Sequence, residues 1–150
     1  MKEKFINLYM DWAKRVAQLS HARRLQVGAV IVKDDCVISY GYNGMPAGWD
    51  NNCEHEMKWP NGEIRFLETK SEVLHAESNA ISKLAKSSNS GLGSTMFVTH
   101  SPCLECAKLI YQSGITNIYY NADYRNNDGV EFLKKSGVNV VRSIESIIPN

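Results

Sequence analysis

Cys103 and Cys106, three residues apart in "SPCLEC", are residues whose types and spacing can do chemistry. If a helix starts there, both sulfurs project from one face. A helix N-terminus favours negative charge. It therefore lowers a cysteine pKa and favours the thiolate, the form that binds metal. Taken alone, the pair is equally a redox couple, half of a metal site or two small core residues. His75 tips that balance. It heads the stretch "VLHAESNAISKL", in which Ala76, Ala80, Ile81 and Leu84 recur at helical spacing. One imidazole and two thiolates are too few ligands for a closed structural zinc site. They are the right number for a catalytic one, with water in the fourth position. Zinc lowers the pKa of such a water to about 7, and its proton then needs a carrier. Glu77 is the carboxylate beside His75. Residues two apart on a regular helix point to nearly opposite sides, so His75 and Glu77 converge only if the metal sits off the helix end. Read in isolation, Glu77 is a solvent-facing acid near a helix N-terminus.

These residues need elements to hold them. Phe5, Leu8, Tyr9, Trp12, Val16 and Leu19 recur at helical spacing, so residues 3–19 read as an amphipathic helix with Phe5, Tyr9 and Trp12 in the core. In "QVGAVIVKDDCVISYGYNG", two β-rich runs flank Asp34-Asp35 and predict a hairpin. Cys36, in the second run, reads as a small core residue. "MPAGWDNNCEHEMKWPNGEIRF" has no sustained period and reads as a long loop of the kind that is often functional. After the His75 helix come a strand, "STMFVTHS", and a helix, "PCLECAKLIYQSG", with Pro102 at its start and Gly114 at its end. "TNIYYNA" reads as a strand, "DGVEFLKKSG" as a short helix and "VNVVRSI" as a last strand. Strands 117–122 and 138–144 are joined by a helix and so run parallel. There is no internal repeat or linker. One domain over 1–150 is expected, an α/β sandwich with helices on both faces of a mixed five-stranded sheet.

At 150 residues the chain can bury a core without staples. Seventeen Lys plus Arg against sixteen Asp plus Glu give no electrostatic case for binding nucleic acid or a membrane surface. "MKEKFINLYMDWAKRV" lacks the continuous apolar core of a secretory signal. No apolar run approaches the roughly 20 residues of a membrane span. A cytoplasmic protein is expected, in which the cysteines Cys36, Cys53, Cys103 and Cys106 serve as ligands or reactive groups more often than as disulfides.

"HAE" followed by "PCLEC" matches the H-x-E … P-C-x-x-C signature of the zinc nucleoside and nucleobase deaminases. "VGAVIV", "GYNGMPAG", "HAESNAI" and "TMFVTHSPCLECAKLIYQSGI" together resemble the deoxycytidylate (dCMP) deaminases, phage versions included, from about Val27 to the last strand. The resemblance implies a cytidine-deaminase-like three-layer α/β/α sandwich, its fourth and fifth strands parallel. It implies one catalytic Zn2+ on His75, Cys103 and Cys106, with Glu77 as the general acid/base. Ala76 would keep the space beside the metal small enough for a base. The implied reaction is hydrolytic deamination of dCMP to dUMP and ammonia, supplying dUMP for thymidylate synthesis.

The resemblance also assigns roles that the residues alone leave open. Asn43 has an amide able to orient a sugar hydroxyl or base, and its plain role is a turn residue before Gly44. Ser101 sits at the expected pocket edge, and its plain role is a helix N-cap. Tyr124 and Arg125 resemble the position that holds the substrate phosphate, although an exposed loop arginine is ordinarily just solvated. Members of the family are often homohexamers activated by dCTP and inhibited by dTTP, with Mg2+ on the triphosphate. Arg23, Arg24, Gly41, Tyr42 and Gly44 are the effector candidates; the two arginines also read as exposed basic residues at a helix end. Several relatives carry a second, structural zinc. Here "SHARRL" has no cysteine, and Cys53, His55 and His21 would have to assemble a substitute without a fourth ligand. His100 reads as packed or hydrogen-bonded rather than metal-binding.

Three rivals remain. A tRNA adenosine deaminase or other nucleic-acid editor shares the metal motif but needs a basic surface. A free-cytidine deaminase would lack the helical crossover between the last strands. A non-catalytic zinc-stabilised binding module would need a closed site of four ligands.

Overall fold

The computed structural model describes residues 1–143, so the predicted end of the last strand, at Ile144, lies outside them. "GAVIV" opens strand β1, Gly28–Lys33, in which every residue but the last is buried. Successive side chains of a strand point to opposite faces, and here both faces carry core. Val30 and Val32 pack with Tyr9, Met10, Ala13, Val16 and Phe97. Ala29 and Ile31 pack with Ala76, Ala80, Met96, Val98, Ile110 and Ile118.

Asp34 and Asp35 take φ of 50° and 60°. Two such residues make the turn whose twist suits a two-residue hairpin. The chain returns as β2, Cys36–Tyr42, antiparallel to β1. Strand β5, Thr95–His100, lies antiparallel on the other side of β1. Parallel strands β6, Asn117–Ala122, and β7, Asn139–Arg142, complete the order β2-β1-β5-β6-β7. Helix α3, Leu104–Gln112, crosses from β5 to β6, and α4, Asp128–Lys135, from β6 to β7. These helices and α2, Ala76–Ala85, cover one face; α1, Glu3–Ala17, covers the other. The expected mixed five-stranded sheet between helices is present, with its last two strands parallel.

Three expectations fail here. The long segment after "GYNG" is not irregular: Glu54–Lys58 (β3) and Ile64–Thr69 (β4) pair antiparallel as a separate two-stranded sheet. Most of their side chains are exposed, so neither strand shows the buried–exposed alternation that marks a half-buried strand. On α1 the buried face is Tyr9, Met10, Ala13, Val16 and Ala17. Phe5, Leu8 and Trp12 are 37%, 51% and 45% exposed. The helix carries one polar stripe, Glu3, Asn7, Asp11 and Lys14, and an apolar arc wider than the sheet covers, so Phe5, Leu8 and Trp12 fall outside the contact. Cys36 is exposed, being the first residue after the hairpin turn.

Candidate metal and catalytic site

His75 is not on helix α2. It is the N-cap, with extended backbone at φ −77° and ψ 154°. The expectation that residues two apart diverge therefore does not apply, because only Glu77 has helical geometry. Two backbone hydrogen bonds hold the approach: Gly44 N–H donates to Leu74 O at 3.1 Å, and Leu74 N–H to Gly44 O at 2.8 Å. Cys103 is the N-cap of α3, also extended, and its sulfur accepts from Cys106 N–H at 3.5 Å. Pro102 consequently precedes the cap instead of opening the helix, and Ser101 is not the cap at all. The two helix starts meet beside the carboxyl end of β5, where α/β sheets gather their sites.

His75 Nδ1 lies 3.5 Å from Cys103 Sγ and 3.3 Å from Cys106 Sγ. Tetrahedral zinc with ordinary Zn–N and Zn–S lengths sets such pairs about 3.6 Å apart. All three ligand atoms lie within 4.8 Å of one another, and they form the only such His/Cys/Asp/Glu group among the described residues. Cys53, His55 and His21 do not converge on a second one. The Cys106 thiol beside it holds Cys103 well below the usual thiol range, at about 3, while the same contact and burial push Cys106 up. His75 is raised by its hydrogen bond to Cys103. An imidazole and two cysteine sulfurs at this spacing are a donor set that a zinc ion fits, binding displacing the thiol protons.

Glu77 is 5% exposed and faces the same cavity. Burial raises its carboxyl to about 7. A group near that value both takes and gives a proton at neutral pH. The cavity holds about 370 Å³, within the size range of small-molecule sites. Ala76, fully buried, lies on its wall between His75 and Glu77.

A family model described as the cytidine and deoxycytidylate deaminase zinc-binding region matches residues 3–122. The chain belongs to the cytidine and deoxycytidylate deaminase family. It is 37% identical to the deoxycytidylate deaminase of Enterobacteria phage T4, over 83% of this chain and 82% of that one. It is 36% identical to ComE operon protein 2 of Bacillus subtilis, over 88% of this chain and 67% of that one. A crystal structure of the dCMP deaminase from cyanophage S-TIM5, in complex with dCMP and dUMP, superposes with a TM-score of 0.85. It is 40% identical, over 95% of this chain and 99% of that one.

Within this deaminase fold the other candidates fall into two groups. Asn43, Ser101, Tyr124, Arg125 and Arg24 line the catalytic cavity. Asn43 is anchored at both ends of its amide: its Oδ1 accepts from Val27 N–H at 2.8 Å and its Nδ2 donates to Leu25 O at 2.7 Å, each with one further site free for the cavity. Ser101 Oγ accepts from Tyr124 N–H at 2.8 Å, tying β5 to the turn after β6. Arg125 follows in the left-handed region at φ 45°, its guanidinium 5.2 Å from the Tyr124 ring centre. Gly41, Tyr42 and Arg23 are elsewhere. Gly41 is sealed under α2, where an added Cβ would stand 2.4 Å from Ala76 O. Tyr42 O accepts from Asn79 Nδ2 at 3.1 Å. Arg23 is paired with Glu56 at 2.9 Å on the exposed side. Gly44 serves the backbone ladder before His75. His100 is on the cavity wall, lowered by burial, with Nδ1 3.0 Å from Thr99 Oγ1. Sequence reasoning missed Glu54 and Thr69, which also line the cavity. Both come from the β3–β4 sheet, and no local pattern marks either as facing a site.

Proposed function

We propose that this protein deaminates dCMP to dUMP with release of ammonia. One observation carries the reading: three zinc-type ligand atoms within 4.8 Å of one another share a cavity with a buried carboxylate, Glu77. His75, Cys103 and Cys106 would hold the ion. When bound, zinc would act as a Lewis acid that brings the pKa of a water to about 7. Glu77 takes a proton from the attacking water and delivers it to cytosine N3 as the water oxygen bonds to C4. Glu77 then carries the second proton to the 4-amino group, the C4–N4 bond breaks, and ammonia leaves. Water thus supplies the new carbonyl oxygen, the N3 proton and the third ammonia hydrogen. Ala76 leaves room for the flat base beside Glu77, and Val27, Val73 and His100 line the cavity around it.

Asn43 sets the sugar end of the cavity, Ser101 fixes the Tyr124 turn, and Arg125 meets the phosphate. The reading extends to regulation: dCTP, with magnesium on its phosphates, activates a homohexamer, and dTTP inhibits it. Family membership supports that extension. The test is zinc content together with ammonia release from dCMP, with and without dCTP and dTTP, on protein sized in solution. Stoichiometric zinc and turnover of dCMP are expected. Turnover of an RNA hairpin instead of dCMP would replace this reading with a nucleic-acid editor.

A further inference from the structure

Glu54 is a buried acid that the mechanism does not use. It is 1% exposed. Its Oε1 accepts from two consecutive main-chain donors, Arg23 N–H at 2.8 Å and Arg24 N–H at 3.2 Å. Among the described residues its Oε2 has no hydrogen-bond partner, and a cation, Arg23 Nε, stands 3.6 Å away. Burying a carboxylate is costly unless it is paired and hydrogen-bonded. A carboxylate kept there with one oxygen unsatisfied holds a piece of backbone in a particular place.

That piece of backbone carries Arg24. Arg24 Nη1 donates to Thr69 Oγ1 at 3.1 Å, which fixes the side chain against β4. Arg24 and Arg125 both line the catalytic cavity and also a second one, of about 510 Å³, that opens beside it. The two arginines therefore stand at the junction, with Lys70 further out; Glu68 and Asp128 also line the outer space. A phosphate dianion at this junction would have two guanidiniums within the lining, whose planar donors suit it. Arg23, one residue earlier, is turned away and neutralised by Glu56.

We propose that Glu54 is a positioning residue for the substrate phosphate: it locks the Arg23–Arg24 backbone so that Arg24, braced on Thr69, faces Arg125 across the cavity mouth. The proposal rests on dCMP being the substrate. Arg24 binds the phosphate directly, and Glu54 acts through it.

The test is steady-state kinetics of the zinc-loaded enzyme on dCMP, with competitive inhibition by dUMP, for Glu54→Leu, Arg24→Ala and the double variant. A lost charge-assisted contact raises the KM for dCMP and weakens dUMP by about 10- to 100-fold. The expected outcome is that rise in both single variants with kcat and zinc content held, and a double variant no worse than Arg24→Ala. Thr69→Val and Arg24→Lys probe the same bracing without touching the buried acid, so a Glu54→Leu protein that does not fold leaves the question decidable. A loss of kcat and zinc with unchanged KM, in whichever of these variants fold, assigns the carboxylate a merely structural role and overturns the proposal. Additive losses in the double variant also overturn it. Failure of the wild type to deaminate dCMP is a different result: it removes the functional reading itself.

Discussion

At the base of the cavity, His75, Glu77, Cys103 and Cys106 come from two helix starts pressed against neighbouring backbone. At its rim, Arg24, Thr69, Tyr124 and Arg125 come from turns and from the end of a small exposed sheet. The base has no slack. An added Cβ at Gly129, in the first turn of α4, would lie 2.1 Å from Pro102 O and 2.8 Å from the carbonyl carbon of Cys103. The rim is held mostly by single hydrogen bonds, such as Ser101 Oγ to Tyr124 N–H and Thr69 Oγ1 to Arg24. The contrast teaches a division of labour: packed elements fix the reacting groups, and the loops decide what is brought to them.

The largest effect belongs to the base. Glu77→Gln keeps the shape and removes the proton carrier, so turnover of dCMP falls by roughly 10³-fold or more, at the upper end for a general acid/base. Zinc stays bound, because Glu77 is not a ligand. Metal analysis beside an ammonia assay checks both halves, and a fully active variant would remove Glu77 from the mechanism.

Gly129→Ala tests whether packing, rather than ligand identity alone, makes the metal site. The new methyl collides with backbone and must displace the Pro102–Cys103 turn. Disturbing the support of a ligand costs about 10- to 100-fold in metal affinity, read by competition with a chelator. Overpacking adds about 1–3 kcal/mol of destabilisation. Unchanged zinc affinity would show that the α3 start is softer than its contacts imply.

Arg125→Ala moves the probe to the rim. Removing one phosphate donor raises the KM for dCMP by about 10-fold and leaves deoxycytidine kinetics as they were. Equal losses on nucleotide and nucleoside would mean that Arg125 supports the turn and not the phosphate.

The same division governs what the sequence disclosed. Of the candidate ligands, Cys103 and Cys106 were legible because they sit within one short stretch, so spacing alone orients them, and His75 through the "HAE" … "PCLEC" signature. The parallel β6–β7 pair was legible because a helix must connect such strands. The convergence of His75 with Glu77 was not, since it depends on His75 leaving the helix as an N-cap. Glu54 was hidden because its burial is balanced by the N–H groups of Arg23 and Arg24, thirty or so positions earlier in the chain. The β3–β4 sheet was hidden because "EHEMK" and "IRFLET" have no buried face to impose a period. On α1, helical spacing named Phe5 and Trp12 as core beside Tyr9, because the apolar arc is wider than the face of Tyr9, Met10, Ala13, Val16 and Ala17 that the sheet covers.

The smallest effect should come from the tip of that sheet, and it is the sharpest check that rim and base are separable. Gly62 closes the β3–β4 hairpin at φ 87°, with no atom of the described residues within 4 Å of where a Cβ would sit. Gly62→Ala therefore meets no collision. It carries only the cost of an L-residue in the left-handed region, about 1–2 kcal/mol. For a chain of this size each kcal/mol lowers Tm by about 2–4 °C. Hydrogen bonds from Trp59 N–H to Glu63 O and from Gly62 N–H to Trp59 O pin the turn, so the strain stays local and the strands keep their register. Thermal melting should register the loss, while chelator competition and kcat on dCMP should not. A Gly62→Ala protein that surrendered zinc or turned over more slowly would mean that the small sheet reports directly to the helix starts. The separation drawn between the two regions would then be wrong at its most exposed point.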